Sequence, residues 1–353
     1  MSPTRRSEMP SSSAPIRSRG DSTVTLEAHV EQQRAAHPRA TDTFSWIIGA
    51  LSICAKVIAA RVRRARLEDA HGGTRASEAG SGSGADGSTG ADEPRQLLDV
   101  MANEVLLRTI GDRDGVALIA SQCNEEPVLL RTRAGEHSYC VLFDPLDGIS
   151  NLEVCGGIGT IFSILRHDGL LRPEDSLLQS GAQQVAAGYV LYGSSTVFVL
   201  TIGAGVVMFV LDPASGAFVR VLQTLRIPAT GKSYSVNEAN RRGFPAGFQR
   251  YLDWAQAHGY SSRYVGSLVG DVHRILLKGG VFLYPPTTRA PHGKLRLLYE
   301  ANPMAMVVEQ AGGRAFAAVG EPILQLVPDS LQQRTPAILG SPAEVEQVLR
   351  HLQ

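Results

Sequence analysis

Apolar residues follow two patterns along the chain. Between 43 and 67 they fall at Ile47, Leu51, Cys54, Ile58 and Val62, the three-to-four spacing of one face of an amphipathic helix. Comparable patterns predict helices over 25–33, 97–110, 248–258, 267–278, 294–311 and 342–352, with Gly312-Gly313 as the stop signal after 294–311. Continuous apolar, β-prone runs predict strands over 116–120, 139–143, 159–166, 186–192, 196–202, 206–211, 218–222, 281–284 and 337–339. The turns Gly203-Ala204-Gly205 and Asp212-Pro213-Ala214-Ser215-Gly216 join the later strands of the first half as a meander, so that sheet is at least partly antiparallel. A second half begins near Ile227. The pattern predicts an α/β protein with helices layered on mixed sheets and no internal repeat.

The strand 139–143 runs into Asp144-Pro145-Leu146-Asp147-Gly148-Ile149-Ser150-Asn151. Pro145 and Gly148 predict a tight turn at the strand end, which places Asp144 and Asp147 together with backbone amides free behind them. Paired carboxylates hold hard cations such as Mg2+, and a turn of free amides holds an anion. Together they suit metal-assisted phosphate chemistry. An ordinary Asp/Pro/Gly surface turn has the same composition.

Composition narrows the rest. A chain of 353 residues, 43% hydrophobic, has room for two halves around a sizeable core. Balanced charge, 34 basic against 34 acidic residues, argues against a nucleic-acid or membrane surface. Cys54, Cys123, Cys140 and Cys155 show no metal-ligand spacing and no disulfide framework, which points to a reducing, cytoplasmic setting. The apolar run 44–55 ends at Lys56 and is expected to be too short to span a bilayer. Residues 1–22, rich in Ser, Pro and Arg, are expected to be a disordered tail rather than a transit peptide. The Gly/Ser-rich stretch 71–94 is expected to be a flexible loop.

Asp144-Pro145-Leu146-Asp147-Gly148-x-Ser150-Asn151 and Gly159-Thr160-Ile161-Phe162 resemble class 1 fructose-1,6-bisphosphatases. So do Ala187-Gly188-Tyr189-Val190-Leu191-Tyr192-Gly193-Ser194, Tyr234-Ser235-Val236-Asn237-Glu238, Arg263-Tyr264-Val265-Gly266-Ser267 and Asp271-Val272-His273-Arg274. The resemblance continues through Gly293 to Ala305 and Gln333 to Ser341, and runs in order from about residue 25 to the C-terminus. It implies a layered α-β-α-β-α sugar-phosphatase fold in two halves: 23–226 with the metal site and a possible effector site, and 227–353 binding sugar phosphate. It also implies Mg2+-dependent removal of the 1-phosphate of fructose 1,6-bisphosphate, a reaction needed in gluconeogenesis and in the Calvin cycle, by a homotetramer built from dimers.

By the same resemblance, Asp144, Asp147, the Leu146 carbonyl and Glu300 are metal ligands, with Gln122 at a ligand position. The ions would lie roughly 3.5–4 Å apart and clamp an in-line displacement. Asp99 matches the catalytic aspartate that partners the family's second glutamate at position 123, the group that helps activate the attacking water. Asp147, Gly148, Ile149 and Ser150 match the cradle of the leaving phosphate. Asn237, Tyr264, Tyr284 and Lys294 match the grip on the retained phosphate, and Arg263 matches an arginine lent to the neighbouring subunit.

The chain departs from the family at three places. Gln122-Cys123 stand where the family carries two glutamates, which should weaken metal binding. Ile149 replaces a serine, removing a hydroxyl and introducing a branched apolar side chain beside the phosphate. Ser138 replaces a lysine that binds the inhibitor AMP in many animal members, although Thr41 and Ser45 keep hydroxyls there. The changes at Gln122, Cys123 and Ile149 leave one alternative, a catalytically weak or inactive paralogue that binds sugar phosphate; a phosphate pocket that tolerates a related sugar leaves another, a sedoheptulose-1,7-bisphosphatase.

Overall fold

The structure, a computed structural model, describes residues 23–34, 41–72, 92–112, 114–130, 138–167 and 173–353. The expected tail 1–22 and most of the expected loop, 73–91, lie outside the described residues. Three helices come first: α1 (Leu26–Arg34), α2 (Asp42–Gly72) and α3 (Asp92–Gly111). By length and composition the 42–67 part of α2 is sufficient to cross a membrane, which differs from the sequence expectation. Phe44, Ile47, Leu51, Cys54 and Ile58 are nevertheless buried in the protein interior, so α2 serves here as a core helix.

The helices cover one face of a sheet of β1 (Val116–Ser121), β2 (Val128–Leu129), β3 (Tyr139–Asp147), β4 (Ile158–Arg166), β5 (Gln184–Tyr192), β6 (Thr196–Thr201), β7 (Val206–Asp212) and β8 (Ala217–Leu225). Its order is β2-β1-β3-β4-β5-β6-β7-β8. Only β1 and β3 run parallel; the other neighbours are antiparallel, as the meander pattern requires. The carbonyl of Val24 accepts from the Arg220 amide, so the chain start caps part of the exposed edge of β8.

The second half carries β9 (Ser233–Ser235), α4 (Ala246–Ala257), β10 (Ser261–Ser262), α5 (Leu268–Lys278), β11 (Val281–Tyr284) and β12 (Leu295–Arg296). It continues through α6 (Asn302–Gln310), β13 (Arg314–Ala318), β14 (Glu321–Pro322), β15 (Arg334–Thr335), β16 (Ala337–Gly340) and α7 (Pro342–Leu352). A second sheet has the order β10-β9-β11-β16-β13-β14, while β12 pairs with β15.

Two cores bind the layers together. Ile161, Tyr189 and Val199 of the first sheet meet Val269, Val272 and Leu276 of α5, Met304 and Val308 of α6, and Phe282 and Leu339 of the second sheet. Phe248, Tyr251 and Leu252 of α4 and Val345 and Val348 of α7 pack on Leu283 and Ile338 from the far side. The result is the expected helix-sheet-helix-sheet-helix stack. Burial of apolar area at about 25 cal/mol per Å² is its main driving force.

Candidate active site

The strand expected to stop at 143 continues to Asp147 through a bulge. Asp144 pairs with Ile161 and Asp147 with Gly159, so β3 spends three steps where β4 spends two. In a regular strand, residues three apart face opposite sides of the sheet. One extra residue corrects the phase and brings both acids to the same place. Pro145 occupies the bulge, where its missing N–H costs no ladder bond, and its carbonyl accepts from Thr160 Oγ1 at 2.7 Å.

Gly148 then turns the chain with φ 72°, a left-handed conformation that favours glycine. A Cβ there would lie 2.5 Å from Cβ of Ser267, so the turn sits directly on the start of α5. Asp147 accepts from Ser267 Oγ at 2.6 Å, Leu268 N at 3.1 Å and Val269 N at 2.8 Å. Its carboxylate thus caps the N-terminus of α5, whose partial positive charge favours an anion. Ile149 packs against the N-terminal core, so its branched side chain is accommodated there rather than only beside the amides of the turn. Ser150 is exposed.

Glu300 arrives from the second half. The helix expected over 294–311 is instead strand β12, a π-turn over Leu297–Ala301, and α6. The pairing of β12 with β15 holds residues 295–296 extended, and the wide turn re-aims Glu300 inward. Its Oε2 accepts from the backbone N–H of Arg296 at 2.6 Å. Asp144, Asp147 and Glu300 each offer a carboxylate oxygen, all within 4.8 Å of one another.

Three buried acids this close raise one another's pKa. Burial, then the charges of Glu300 and Asp147, hold the Asp144 carboxyl well above the usual range. Burial pushes Glu300 up to about 8, partly offset by the Arg296 amide. Asp147 is raised by burial, against the pull of its three donors. An all-oxygen, highly charged set of this kind fits a hard divalent cation. Gln122 adds to the fit: its N–H is bonded to Phe143 O beside Asp144, and its Oε1 is buried without a partner among the described residues. Leu146, between the two acids, donates its N–H to Asp144 Oδ1 at 3.2 Å.

Cys123 donates its thiol to Asp99 Oδ2 at 3.4 Å. Burial, followed by the charge of Asp99, pushes the thiol up to about 12, so it is a neutral donor and not a thiolate base. Asp99 is itself raised by burial, with the Cys123 bond acting in the opposite sense.

Next to this cluster is a cavity of about 100 Å³ whose lining includes Asn237, Asn240, Tyr284, Thr287, Arg289 and Lys294. Gly293, at φ 78°, lies so close to the Thr335–Pro336 peptide that no side chain fits, and this sets Lys294 at the wall. The hydroxyl of Tyr284 is raised by burial and by the charges of Glu300 and Asp147, which places the cavity wall within the field of the acids. Tyr264 stands by this wall: burial, and then the neighbouring Tyr284 and Asp271, raise its hydroxyl. Arg263 stands apart, exposed, with Nη1 bonded to Ser262 O at 2.9 Å. Pattern reading missed Asn240, Arg289, Ser267, Asn151 and Asp271; the last three lay inside the quoted motifs but had no assigned contact.

The stack and its convergent acids define a layered α/β protein with a carboxylate site suited to a metal. The chain matches "Fructose-1-6-bisphosphatase, N-terminal domain" over residues 22–223 and "Fructose-1-6-bisphosphatase, C-terminal domain" over 227–353. It belongs to the class 1 fructose-1,6-bisphosphatase family. The curated "Fructose-1,6-bisphosphatase class 1" of Chlorobium luteolum is 42% identical over 333 residues, 92% of this chain and 96% of the relative. That of Thermosynechococcus vestitus is 41% identical over 337 residues, covering 94% and 92%. The holo crystal structure of Leishmania major fructose-1,6-bisphosphatase superposes with a TM-score of 0.80 at 34% identity, covering 94% of this chain and 99% of that one.

Proposed function

We propose that this chain hydrolyses the 1-phosphate of fructose 1,6-bisphosphate to fructose 6-phosphate and inorganic phosphate, with Mg2+ as its metal. The observation that carries the reading is the convergence of Asp144, Asp147 and Glu300 beside the cavity that holds Lys294. Bound divalent ions supply charge neutralisation and an activated water for in-line displacement. Asp144, Asp147 and Glu300 hold them, with the Leu146 carbonyl and Gln122 Oε1 as neutral additions. Asp99 orients the attacking water and takes its proton. The water oxygen bonds to phosphorus as the bond to the C1 oxygen breaks, and that oxygen takes a proton from solvent while Asp99 returns its own to solvent. The amides of Gly148, Ile149 and Ser150 cradle the departing phosphate.

Lys294, Asn237, Tyr264 and Tyr284 grip the phosphate that is kept. Lysine gives a point charge and the others give neutral hydrogen bonds. The 23–226 half supplies most of the metal site and the 227–353 half supplies Glu300 and the sugar-phosphate pocket. Arg263, exposed and absent from the lining of its own cavity, serves a neighbouring subunit in a homotetramer. The setting is cytoplasmic carbohydrate metabolism.

The neutral Cys123 thiol favours a second reading, a weak or inactive sugar-phosphate-binding paralogue. Phosphate release from fructose 1,6-bisphosphate and from sedoheptulose 1,7-bisphosphate, each across a Mg2+ titration, separates the readings. The expected result is Mg2+-saturable turnover that is faster with the fructose ester. Binding without release at any Mg2+ level leaves the inactive paralogue, and preference for the larger sugar reassigns the substrate.

A further inference from the structure

The segment 263–267 joins β10 to α5 and carries both Arg263 and Tyr264. A loop that presents binding groups needs something to hold it, because an unrestrained loop loses affinity to ordering entropy. Here the restraint comes from two sides. Asp271, one turn into α5 and 1% exposed, accepts from Val265 N through both carboxylate oxygens, at 3.0 and 3.2 Å, and from Gly266 N at 3.1 Å. From the opposite half of the chain, Asn151 Nδ2 donates to Val265 O at 3.2 Å. Both polar groups of Val265 are therefore engaged by side chains. Gly266, at φ 83°, lets the segment fold back, and a Cβ there would lie 3.7 Å from the Tyr264 ring. The Arg263 N–H is anchored to Tyr234 O at 2.8 Å, closing the other end of the segment.

We infer that Asp271 and Asn151 are positioning residues that clamp the Val265–Gly266 peptide and thereby hold Tyr264 beside Tyr284 at the sugar-phosphate cavity. The inference rests on the proposed function. It adds that the grip on the retained phosphate depends on two side chains that do not line the cavity. Charge-assisted hydrogen bonds are the strong ones in this set, so Asp271 carries the larger share. Asn151 also ties the segment to the turn that follows Asp147 and Gly148.

The retained phosphate is bound alike in ground and transition states. Loss of the clamp therefore raises KM more than it lowers kcat, by about tenfold for Asp271→Asn and about threefold for Asn151→Ala. A general loss of fold lowers active-enzyme concentration and leaves KM unmoved. The decisive arm is a double-mutant cycle with Tyr264→Phe in the full-length, Mg2+-loaded protein. The expected result is that Asp271→Asn raises KM far less when Tyr264 is already Phe. Full additivity, or a wild-type KM in the Asn151→Ala and Asp271→Asn proteins, overturns the clamp. A wild-type protein that releases no phosphate from fructose 1,6-bisphosphate would instead defeat the proposed function. The clamp is still read then, from the affinity of the variants for fructose 6-phosphate by calorimetry: unchanged affinity overturns it.

Discussion

The Ser267 hydroxyl donates to Asp147 across 2.6 Å, joining residues 120 positions apart and fastening the helix of one half to the acid-bearing turn of the other. Ser267 also caps its own helix, accepting from Gly270 N at 3.1 Å. Ser267→Ala removes a cap and one of three donors to a buried carboxylate. The expected loss of stability is about 2 kcal/mol by denaturant melt, with weaker Mg2+ binding. A variant as stable as the wild type would show that the two backbone donors suffice.

Glu300 separates structural from functional roles. Glu300→Gln removes one of three mutually repelling acids. The metal-free protein should keep its stability or gain some, while phosphate release falls about a hundredfold or more. Paired melts in EDTA and assays in Mg2+ check both. A large destabilisation without metal would mean that Glu300 is needed for the fold.

The acids also set a pH dependence. Their folded pKa values are raised, so the folded chain binds more protons than the unfolded chain between the ordinary carboxylate range, about 4, and the value of about 8 for Glu300. For these groups stability is full below that window and is lost as pH rises through it. A divalent cation takes over the role of the protons. The gap in melting temperature between Mg2+ and EDTA should thus widen from about pH 6 to about pH 8. A gap that narrows would contradict it.

Much of this arrangement was legible in the residues and part was not. The meander β4–β8 follows from long apolar runs separated by Gly and Asp-Pro turns. The two-residue strands β2, β10, β12, β14 and β15 are too short to leave a period. Pro145 reads locally as a strand breaker; only pairing with β4 reveals a bulge that carries the strand to Asp147. Leu295 to Ala301 has helical composition, yet pairing with β15 extends its start, and this tertiary override is invisible in the local pattern. Asp144, Asp147 and Glu300 were found through motifs, whereas Ser267 and Asn151 act through long-range bonds that no spacing encodes, and Asp271 through a local fold-back onto Val265 and Gly266.

Gln122 and Cys123 bear on metal affinity. Restoring charge with Gln122→Glu should lower the Mg2+ concentration for half-maximal activity, because the orphaned Oε1 becomes an anionic ligand. Cys123→Ser should change the pH profile little, since the thiol is already neutral at working pH. A marked alkaline shift in that variant would identify a functional thiolate.

The groove between α1 and α2 is lined by Glu27, Glu31, Ser45 and Trp46 among others, with no basic residue in its lining among the described residues. Carboxylates accept and do not donate, so Glu27 and Glu31 offer a nucleotide phosphate no hydrogen bond. Millimolar AMP is expected to leave phosphate release unchanged, and strong inhibition in a steady-state assay would refute this.

Crystals soaked in Mn2+, a stand-in for Mg2+ whose X-ray absorption edge lies within the range of a diffraction experiment, test the metal centre by anomalous scattering. The peak should lie bonded to carboxylate oxygens of Asp144, Asp147 and Glu300 together, and should vanish in Glu300→Gln crystals. A fully loaded crystal with no peak at these three acids would contradict the shared-metal site.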